Sequence, residues 1–143
     1  MSVDDLHARV LEAVREHQIE GVTFSGGEPF QQARSLARLA QLVRQSGLSV
    51  TAFTGYTAEF LQHSEAAPIS ARELLVECDL LVDGPYRQEQ RAEGLPLRGS
   101  RNQRLVPLTF AGRALADRVT NDLPVAEVSF FGSGETVMTG FPR

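Results

Sequence analysis

The residues that most constrain the fold are the ten at positions 21–30, which have the sequence GVTFSGGEPF. Val22, Thr23 and Phe24 are β-branched or aromatic and therefore favour a short strand. Pro29 ends this strand because it fixes φ and has no N–H to donate to a ladder. The two glycines and the glutamate before the proline allow a tight turn in which a ligand can come close to the main chain.

The residues after this turn, 31–45, have the apolar spacing of a helix. A carboxylate in a glycine turn between a strand and a helix lies where open α/β sheets and barrels bind their ligands. Glu28 is therefore a candidate binding residue. A tight turn with a solvated glutamate explains the spacing equally well, so this motif alone leaves both interpretations open.

Composition indicates an ordinary single-domain protein of 143 residues. The net charge of −4 and the pI near 5.4 argue against a nucleic-acid-binding protein. All 14 basic residues are arginines, which excludes a lysine Schiff base and a P-loop lysine. No apolar run is long enough to span a membrane and no signal-peptide pattern opens the chain, so a cytoplasmic protein without a membrane partner is expected.

The remaining pattern predicts strands that alternate with helices, which indicates βαβ units and a mostly parallel sheet. Residues with capping chemistry precede three helices: Ser2 with Asp5, Thr57, and Ser70 with Glu73. The helices are predicted over residues 2–16, 31–45 and 57–61 and after Ser70, and the further strands over residues 48–53 and 80–82.

The pattern changes after the third strand. Residues 84–103 are polar, rich in arginine and without periodicity, which is typical of a functional or disordered loop. Residues 104–110 are predicted to be extended. Residues 125–131 and 136–139 are predicted to be strands on either side of a Gly-Ser-Gly turn, as in a hairpin.

Four short stretches carry a family signature in their order and spacing. They are residues 23–30 (TFSGGEPF), 54–57 (TGYT), 79–86 (DLLVDGPY) and 98–104 (RGSRNQR). Together they resemble the radical S-adenosylmethionine activating enzymes, most of all the activase of anaerobic ribonucleotide reductase and its relatives. The likeness runs from about residue 2 to residue 104, with a weaker match at residues 139–142 (TGFP).

The resemblance implies one domain over residues 1–143, with a motif-bearing core at 1–104 and a C-terminal extension at 105–143. Its fold would be α/β, a partial (βα) barrel with mostly parallel strands. In this family the barrel holds a 4Fe-4S cluster and S-adenosylmethionine. The cluster passes an electron to the sulfonium, and the resulting 5′-deoxyadenosyl radical takes hydrogen from a glycine of a partner enzyme. The implied function is thus an oxidoreductase that activates a glycyl radical enzyme.

The family motif also implies which residues bind S-adenosylmethionine. Ser25, Gly26, Gly27 and Glu28 would surround the amino group of the methionyl moiety. An ammonium group needs an anionic acceptor and nearby backbone carbonyls, which a glutamate in a glycine turn provides.

Residues that follow the next two strands are expected around the same ligand, namely Thr54, Tyr56 and Asp83. Asp83 begins an Asp-Gly-Pro sequence that is also an ordinary turn, so a purely structural role stays open for it. Arg98, Asn102 and Gln103 are expected either to hold the long loop over the site or only to cap it. Arg101 stands where relatives usually have a small serine, so the loop contacts are expected to differ.

The cysteines of the family are missing. Its cluster rests on three cysteines spaced CxxxCxxC, whereas this sequence has only Cys78. The helix at Ser2 matches the segment just after the cluster loop, so the first strand and that loop are expected to be absent. Cys78 is predicted to be a small buried apolar residue. The 143-residue sequence alone is therefore expected not to hold the cluster. No catalytic or metal-binding residue is assigned to it.

Three explanations of the missing cysteines stay open. A truncated start is favoured, because Met1 interrupts an otherwise intact pattern. The others are a non-catalytic relative that binds a partner enzyme or a nucleoside, and cysteines supplied by another subunit. Loss of the first strand is expected to expose an apolar edge beside the strand at residues 21–25, or beside whichever strand it paired with. Poorer solubility or self-association is the expected consequence. A hydrolase or Rossmann-type enzyme is disfavoured, because its glycine and serine motifs are absent.

Overall fold

A computed structural model describes residues 2–130 and 136–139, and its strands form one six-stranded sheet. The strands are β1 (Gly21–Phe24), β2 (Ser49–Phe53), β3 (Leu80–Asp83), β4 (Arg104–Pro107), β5 (Glu127–Phe130) and β6 (Thr136–Thr139). Their order is β4-β3-β2-β1-β5-β6. The inner four run parallel, while β4 and β6 run antiparallel to their neighbours. The predicted α/β class and the mostly parallel sheet are confirmed.

The first three helices agree with the prediction, the start of the fourth differs from it, and the fifth was not predicted. The helices are α1 (Val3–His17), α2 (Ala33–Gln45), α3 (Ala58–His63), α4 (Ala71–Leu75) and α5 (Phe110–Thr120), with short 3-10 helices at Pro29–Gln32 and Gln88–Gln90. The capping box of Ser2 and Asp5 is present at α1, and Thr57 caps α3. At α4 the predicted capping box is wrong: Ser70 has a φ of 66° and its side chain makes no capping hydrogen bond.

The sheet has a core on each face. Leu80 and Leu81 of β3 belong to different cores, because successive side chains of a strand point to opposite faces. Leu81 packs with Val22 in the larger core, which also contains the buried residues of α1, α2 and α4. Leu80 packs on the other face with Leu115 of α5.

The helix α5 was not predicted from the sequence. The predicted extended segment ends early, because β4 stops at Pro107 and Thr109 then caps α5. Gly112 allows this helix to lie directly on β3, since a Cβ atom there would be 1.7 Å from the carbonyl oxygen of Asp79. Glycine weakens a helix in isolation, so the local sequence pattern does not predict α5. Packing against β3 stabilises the helix in the folded protein.

Strand β1 lies inside the sheet, with a neighbour on each side. Val22 pairs with Val50 of β2 and with Val128 of β5. The expectation of an open edge beside β1 is therefore wrong, because β5 occupies that side. The alternative, an exposed edge on whichever strand the missing one paired with, stays a prediction. The outermost strands of the described sheet are β4 and β6.

Strands β5 and β6 pair antiparallel, as the strands of a hairpin do. The predicted glycine turn at residues 132–134 lies outside the described residues, as do residues 140–142 of the weaker match. The strand order does not establish a partial barrel, which remains a prediction. None of the helices in the described ranges is both long and apolar enough to cross a membrane.

Candidate functional site

The carboxylate of Glu28 joins the turn after β1 to the turn after β2. Its Oε2 accepts hydrogen bonds from the Thr54 hydroxyl at 2.9 Å and from the Phe30 N–H at 3.1 Å. Its Oε1 accepts one from the Gly55 N–H at 2.8 Å. A carboxylate offers about four acceptor positions, so one on Oε1 is left for a further donor. The half-buried Glu28 is thus fixed in place and can still bind a ligand N–H group.

The glycines before Glu28 have the backbone geometry that the sequence predicts. Gly26 and Gly27 have φ values of 70° and 57°, a region that residues with a side chain rarely adopt. Both are exposed. Ser25 continues the pairing of β1 by donating its N–H to the Phe130 carbonyl at 2.8 Å. The main chain of the turn is therefore open to a ligand on its outer side.

Tyr56 is held at the same end of the sheet. Its N–H donates to the Thr54 hydroxyl at 3.1 Å, and its hydroxyl accepts a hydrogen bond from the Gln31 side chain at 2.6 Å. Its ring stacks on Phe60 with a centroid distance of 5.3 Å. Its carbonyl accepts the Gly84 N–H at 2.9 Å, which joins the β2 and β3 ends.

The carboxylate of Asp83 is buried and binds groups of the chain itself. It is 1% exposed. Its Oδ1 accepts a hydrogen bond from Arg104 Nε at 2.9 Å, and its Oδ2 accepts the Ala58 N–H at the start of α3 at 2.8 Å. Arg104 also binds the carboxylate of Glu59. The hydrogen bonds to Asp83 and then to Glu59 raise the pKa of the Arg104 guanidinium above its usual value.

A shallow cavity of about 170 Å³ lies at this end of the sheet. Its walls are the glycine turn, the ends of β2 and β3, and the long loop: Gly27, Phe53, Thr54, Gly55, Val82, Gly84, Tyr86 and Gln103. Of the predicted binding residues, Gly27 and Thr54 line it, while Glu28 binds Gly55 in its wall. Gln103 was expected either to hold the loop over the site or only to cap it. Tyr86 was not assigned to the site from the sequence, because a loop pattern does not show which side chains turn back toward the sheet.

Two larger cavities in the described part of the chain lie elsewhere. One of about 430 Å³ is between α3 and α4, and one of about 410 Å³ is at the start of α5. Neither is lined by a residue that the sequence assigns to binding. The cavity at the strand ends is smaller, but it is the one that adjoins the convergent polar groups on which recognition depends.

At this end of the sheet, the Asp83 carboxylate has a cationic partner and the Glu28 carboxylate has none among the described residues. Asp83 is neutralised by Arg104. Glu28 forms no ion pair with any residue in the described ranges. The Glu28 carboxylate therefore has no cationic partner among the described residues, which favours a cationic ligand group over an anionic one.

The residues present do not fit an iron–sulfur cluster. Cys78 is fully buried, and its Sγ donates to the Leu74 carbonyl at 3.4 Å. Burial, together with the neighbouring Asp79, raises the pKa of its thiol to about 12, whereas cluster ligands are thiolates. Within the described ranges, no group of three or more cysteine, histidine or acidic side chains can hold a metal ion. The prediction that Cys78 is a small buried residue is confirmed.

The sequence of this chain matches a known family. A family model described as a 4Fe-4S single cluster domain matches residues 1–106, and the chain belongs to that family.

Three curated relatives that are similar to this chain carry the same name. The chain is 33% identical over 106 residues to the anaerobic ribonucleoside-triphosphate reductase-activating protein of Vibrio cholerae, covering 69% of this chain and 64% of that protein. The proteins of the same name from Pasteurella multocida and Haemophilus influenzae are 30% and 28% identical, covering 70% of this chain and 65% and 64% of theirs. The chain is thus a relative of the radical S-adenosylmethionine activases, as the motifs indicated. It spans less than two thirds of the length of these relatives, and no solved structure matches it.

Proposed function

We propose that this chain carries the S-adenosylmethionine-binding part of an activase for a glycyl radical enzyme, such as an anaerobic ribonucleotide reductase. The observation that carries the proposal is the uncompensated carboxylate of Glu28, which is fixed by three hydrogen bonds beside the exposed backbone of Gly26 and Gly27. The relatives support the class of activity. A cytoplasmic location belongs to the same proposal.

The residues have distinct roles in this proposal. Glu28 accepts a hydrogen bond from the ammonium group of the methionyl moiety, and the carbonyls of Gly26 and Gly27 accept others. Thr54 orients the Glu28 carboxylate through its hydroxyl. Ser25 and Tyr56 contact the ligand from the same turns, where the chain holds the Ser25 N–H and the Tyr56 hydroxyl. Asp83 is buried and bound to Arg104, so it acts on the ligand through the turn that it holds. In activases, an iron–sulfur cluster and the bound nucleotide together would supply a 5′-deoxyadenosyl radical. The single buried Cys78 of this chain does not fit such a cluster.

Ligands that differ in the amino acid moiety test the role of Glu28. S-adenosylmethionine and S-adenosylhomocysteine carry the ammonium group, whereas 5′-methylthioadenosine does not. Isothermal titration calorimetry with Glu28→Gln should show about 10- to 100-fold weaker binding of the first two ligands, because a charged acceptor is lost. Binding of 5′-methylthioadenosine should not change. Glu73→Gln is the matched control, as it makes the same change at an exposed position of α4.

Two results would count against this assignment. One is unchanged binding of S-adenosylmethionine by Glu28→Gln. The other is equal weakening of all three ligands, which would show that the substitution only disturbs the turn. Thermal unfolding of the variant, measured beside the wild type, separates loss of the site from loss of the fold.

A non-catalytic binding protein is the second candidate, favoured by the single buried cysteine. Anaerobic iron–sulfur reconstitution of the 143-residue chain, beside a version extended upstream, distinguishes the two. We expect no 4Fe-4S absorption from the 143-residue chain and none from Cys78→Ala. Reductive cleavage of S-adenosylmethionine by the extended version alone supports the activase. Absence of cleavage in both versions, with binding retained, supports the binding protein.

A further inference from the structure

The loop at residues 84–104 is basic in an acidic protein. It contains five arginines against the two glutamates Glu89 and Glu93, whereas the whole chain has a net charge of −4. The arginines are Arg87, Arg91, Arg98, Arg101 and Arg104. The charge of this loop is therefore opposite in sign to that of the rest of the molecule.

The two halves of this loop are tied together by hydrogen bonds. Ser100 is 0% exposed; its hydroxyl accepts the Arg87 N–H at 3.2 Å and donates to Asn102 Oδ1 at 2.7 Å. The Arg101 N–H donates to the Gln90 carbonyl at 2.9 Å. These bonds place Arg87 and Arg101 on one small area of the surface.

A second set of hydrogen bonds fixes the loop to the end of β3. Gln103 Nε2 donates to the Gly84 carbonyl at 3.1 Å, and its Oε1 accepts the Gly99 N–H at 2.8 Å. Asn102 Nδ2 donates to the Pro85 carbonyl at 2.6 Å. Asn102 and Gln103 thus bind the loop to the end of β3, whereas Arg98 Nε donates to the Pro96 carbonyl within the loop. Whether the three residues hold the loop over the site or only cap it stays a prediction. A loop held in this way loses little conformational entropy when a partner binds.

The loop exposes aromatic, apolar and basic side chains. Tyr86 is 51% exposed and Leu97 is 38% exposed. Leu97 also has a φ of 59°, an unfavourable conformation for leucine. Arg87 and Arg101 are exposed, and neither forms a salt bridge with a residue in the described ranges. Exposed aromatic and arginine side chains are enriched where proteins bind each other.

We propose that Tyr86, Arg87, Leu97 and Arg101 form a docking surface for an acidic segment of a protein partner. The surface adjoins the candidate site, since Tyr86 also lines its cavity. The inference specifies how the partner of the proposed function is recognised, and in that respect it rests on that function. A protein is favoured over a nucleic acid, because the remainder of the chain is acidic and repels a long polyanion. The exposed tyrosine and leucine also need apolar contacts that a phosphate backbone does not offer.

Defined probes and a matched charge reversal test the docking surface. The probes are three fluorescein-labelled molecules: a 12-residue glutamate-rich peptide with one central phenylalanine, the same peptide with lysine in place of glutamate, and a 12-nucleotide single strand of DNA. The test variant is Arg87→Glu with Arg101→Glu. The control is Arg15→Glu with Arg38→Glu, which changes the net charge equally at exposed positions of α1 and α2.

The wild-type chain should bind the glutamate peptide more tightly than the other two probes in fluorescence anisotropy. The Arg87→Glu and Arg101→Glu variant should bind it about tenfold more weakly, and added salt should reduce the difference. The control pair should bind as the wild type does, and Tyr86→Ala should weaken binding without altering the salt dependence.

Equal weakening by the control pair would overturn the proposal, because the effect would then be one of net charge. Tighter binding of the DNA, lost in the same variant, would overturn it in favour of a nucleic-acid surface. S-adenosylmethionine binding by each variant separates this inference from the proposed function. If the peptide fails to bind while S-adenosylmethionine binds through Glu28, only the docking surface is refuted.

Discussion

The carboxyl groups of Glu28 and Asp83 lie at the same end of the sheet but have different partners. Asp83 is buried against Arg104, and its charge is compensated within the protein. Glu28 receives only neutral donors from the chain. A buried carboxylate with a bidentate arginine is a structural link, whereas a fixed carboxylate without a counter-ion attracts a cation. The surroundings of the residues, more than their type, therefore determine which of them is suited to bind a ligand.

A third carboxyl group, that of Glu127, is expected to make stability depend on pH. Burial raises the pKa of Glu127 above its ordinary value of 4.5, while the neighbouring Thr23 hydroxyl acts in the other direction. Between 4.5 and the raised pKa the folded state binds more protons than the unfolded state, so stability falls as pH rises through that range. Glu127→Gln should therefore raise the denaturation midpoint at pH 7. The gain should disappear at pH 4, where the unfolded chain also carries a neutral carboxyl.

Urea denaturation of the wild type and of Glu127→Gln, at pH 7 and at pH 4, measures the difference in stability between them. Glu12→Gln is the control, since it makes the same change at an exposed position of α1. A gain of the same size at both pH values would show that burial of charge is not the cause. A loss at pH 7 would mean that the ionised carboxylate has a stabilising partner.

At the scale of the elements, Arg104 connects three of them. It is the first residue of β4 and binds Asp83 at the end of β3 and Glu59 in the first turn of α3. Asp83 in turn accepts the Ala58 N–H, one of the unpaired donors at the start of that helix. The position of α3, and with it the turn that contains Tyr56, thus depends on one arginine at the start of the outer strand.

Removal of Arg104 should cost far more than removal of its exposed partner. Arg104→Gln leaves the 1%-exposed Asp83 carboxylate without its counter-ion, which should lower the free energy of unfolding by about 3 kcal/mol. Glu59→Gln should change it little, because Glu59 is exposed and solvent screens its ion pair. Chemical denaturation of the two variants at pH 7 makes the comparison. Equal effects would place the importance of the arginine in its link to Glu59 instead.

The elements that the sequence predicts are those whose signal is local. The apolar period defines α1, α2 and the parallel strands, and the glycine turn defines the position of Glu28. Tyr86 and Gln103 line the cavity together with Gly27 and Thr54, which belong to distant parts of the chain, so no local pattern indicates their placement. The same holds for α5, whose Gly112 is unfavourable in a helix and favourable only against Asp79. The capping prediction at Ser70 failed because the chain enters α4 in a left-handed conformation.

At the scale of the whole molecule, the second edge of β1 is covered by β5, a strand from the C-terminal part of the chain. β5 pairs with β1 over four residues, in register with β2 on the other side. Two of its side chains, Val128 and Phe130, are buried in the main core. From the sequence, residues 105–143 were expected to be a C-terminal extension of the motif-bearing residues 1–104. The pairing of β5 makes it a neighbour of the strand that leads into the candidate site.

Deletion of residues 125–143 should therefore destabilise the entire domain. Burial of Val128 and Phe130 contributes about 3–6 kcal/mol, a large part of the 5–15 kcal/mol that is typical of a domain. The deletion also exposes the edge of β1, so sedimentation velocity should show self-association or circular dichroism should show loss of structure. Val128→Ala in the full chain is a smaller change that tests the packing of β5 in the main core. It should lower the free energy of unfolding by about 1–3 kcal/mol. Val76→Ala, at a position 68% exposed, should change stability by less than about 0.5 kcal/mol. A monomeric deletion variant of unchanged stability would contradict the pairing of β5 with β1.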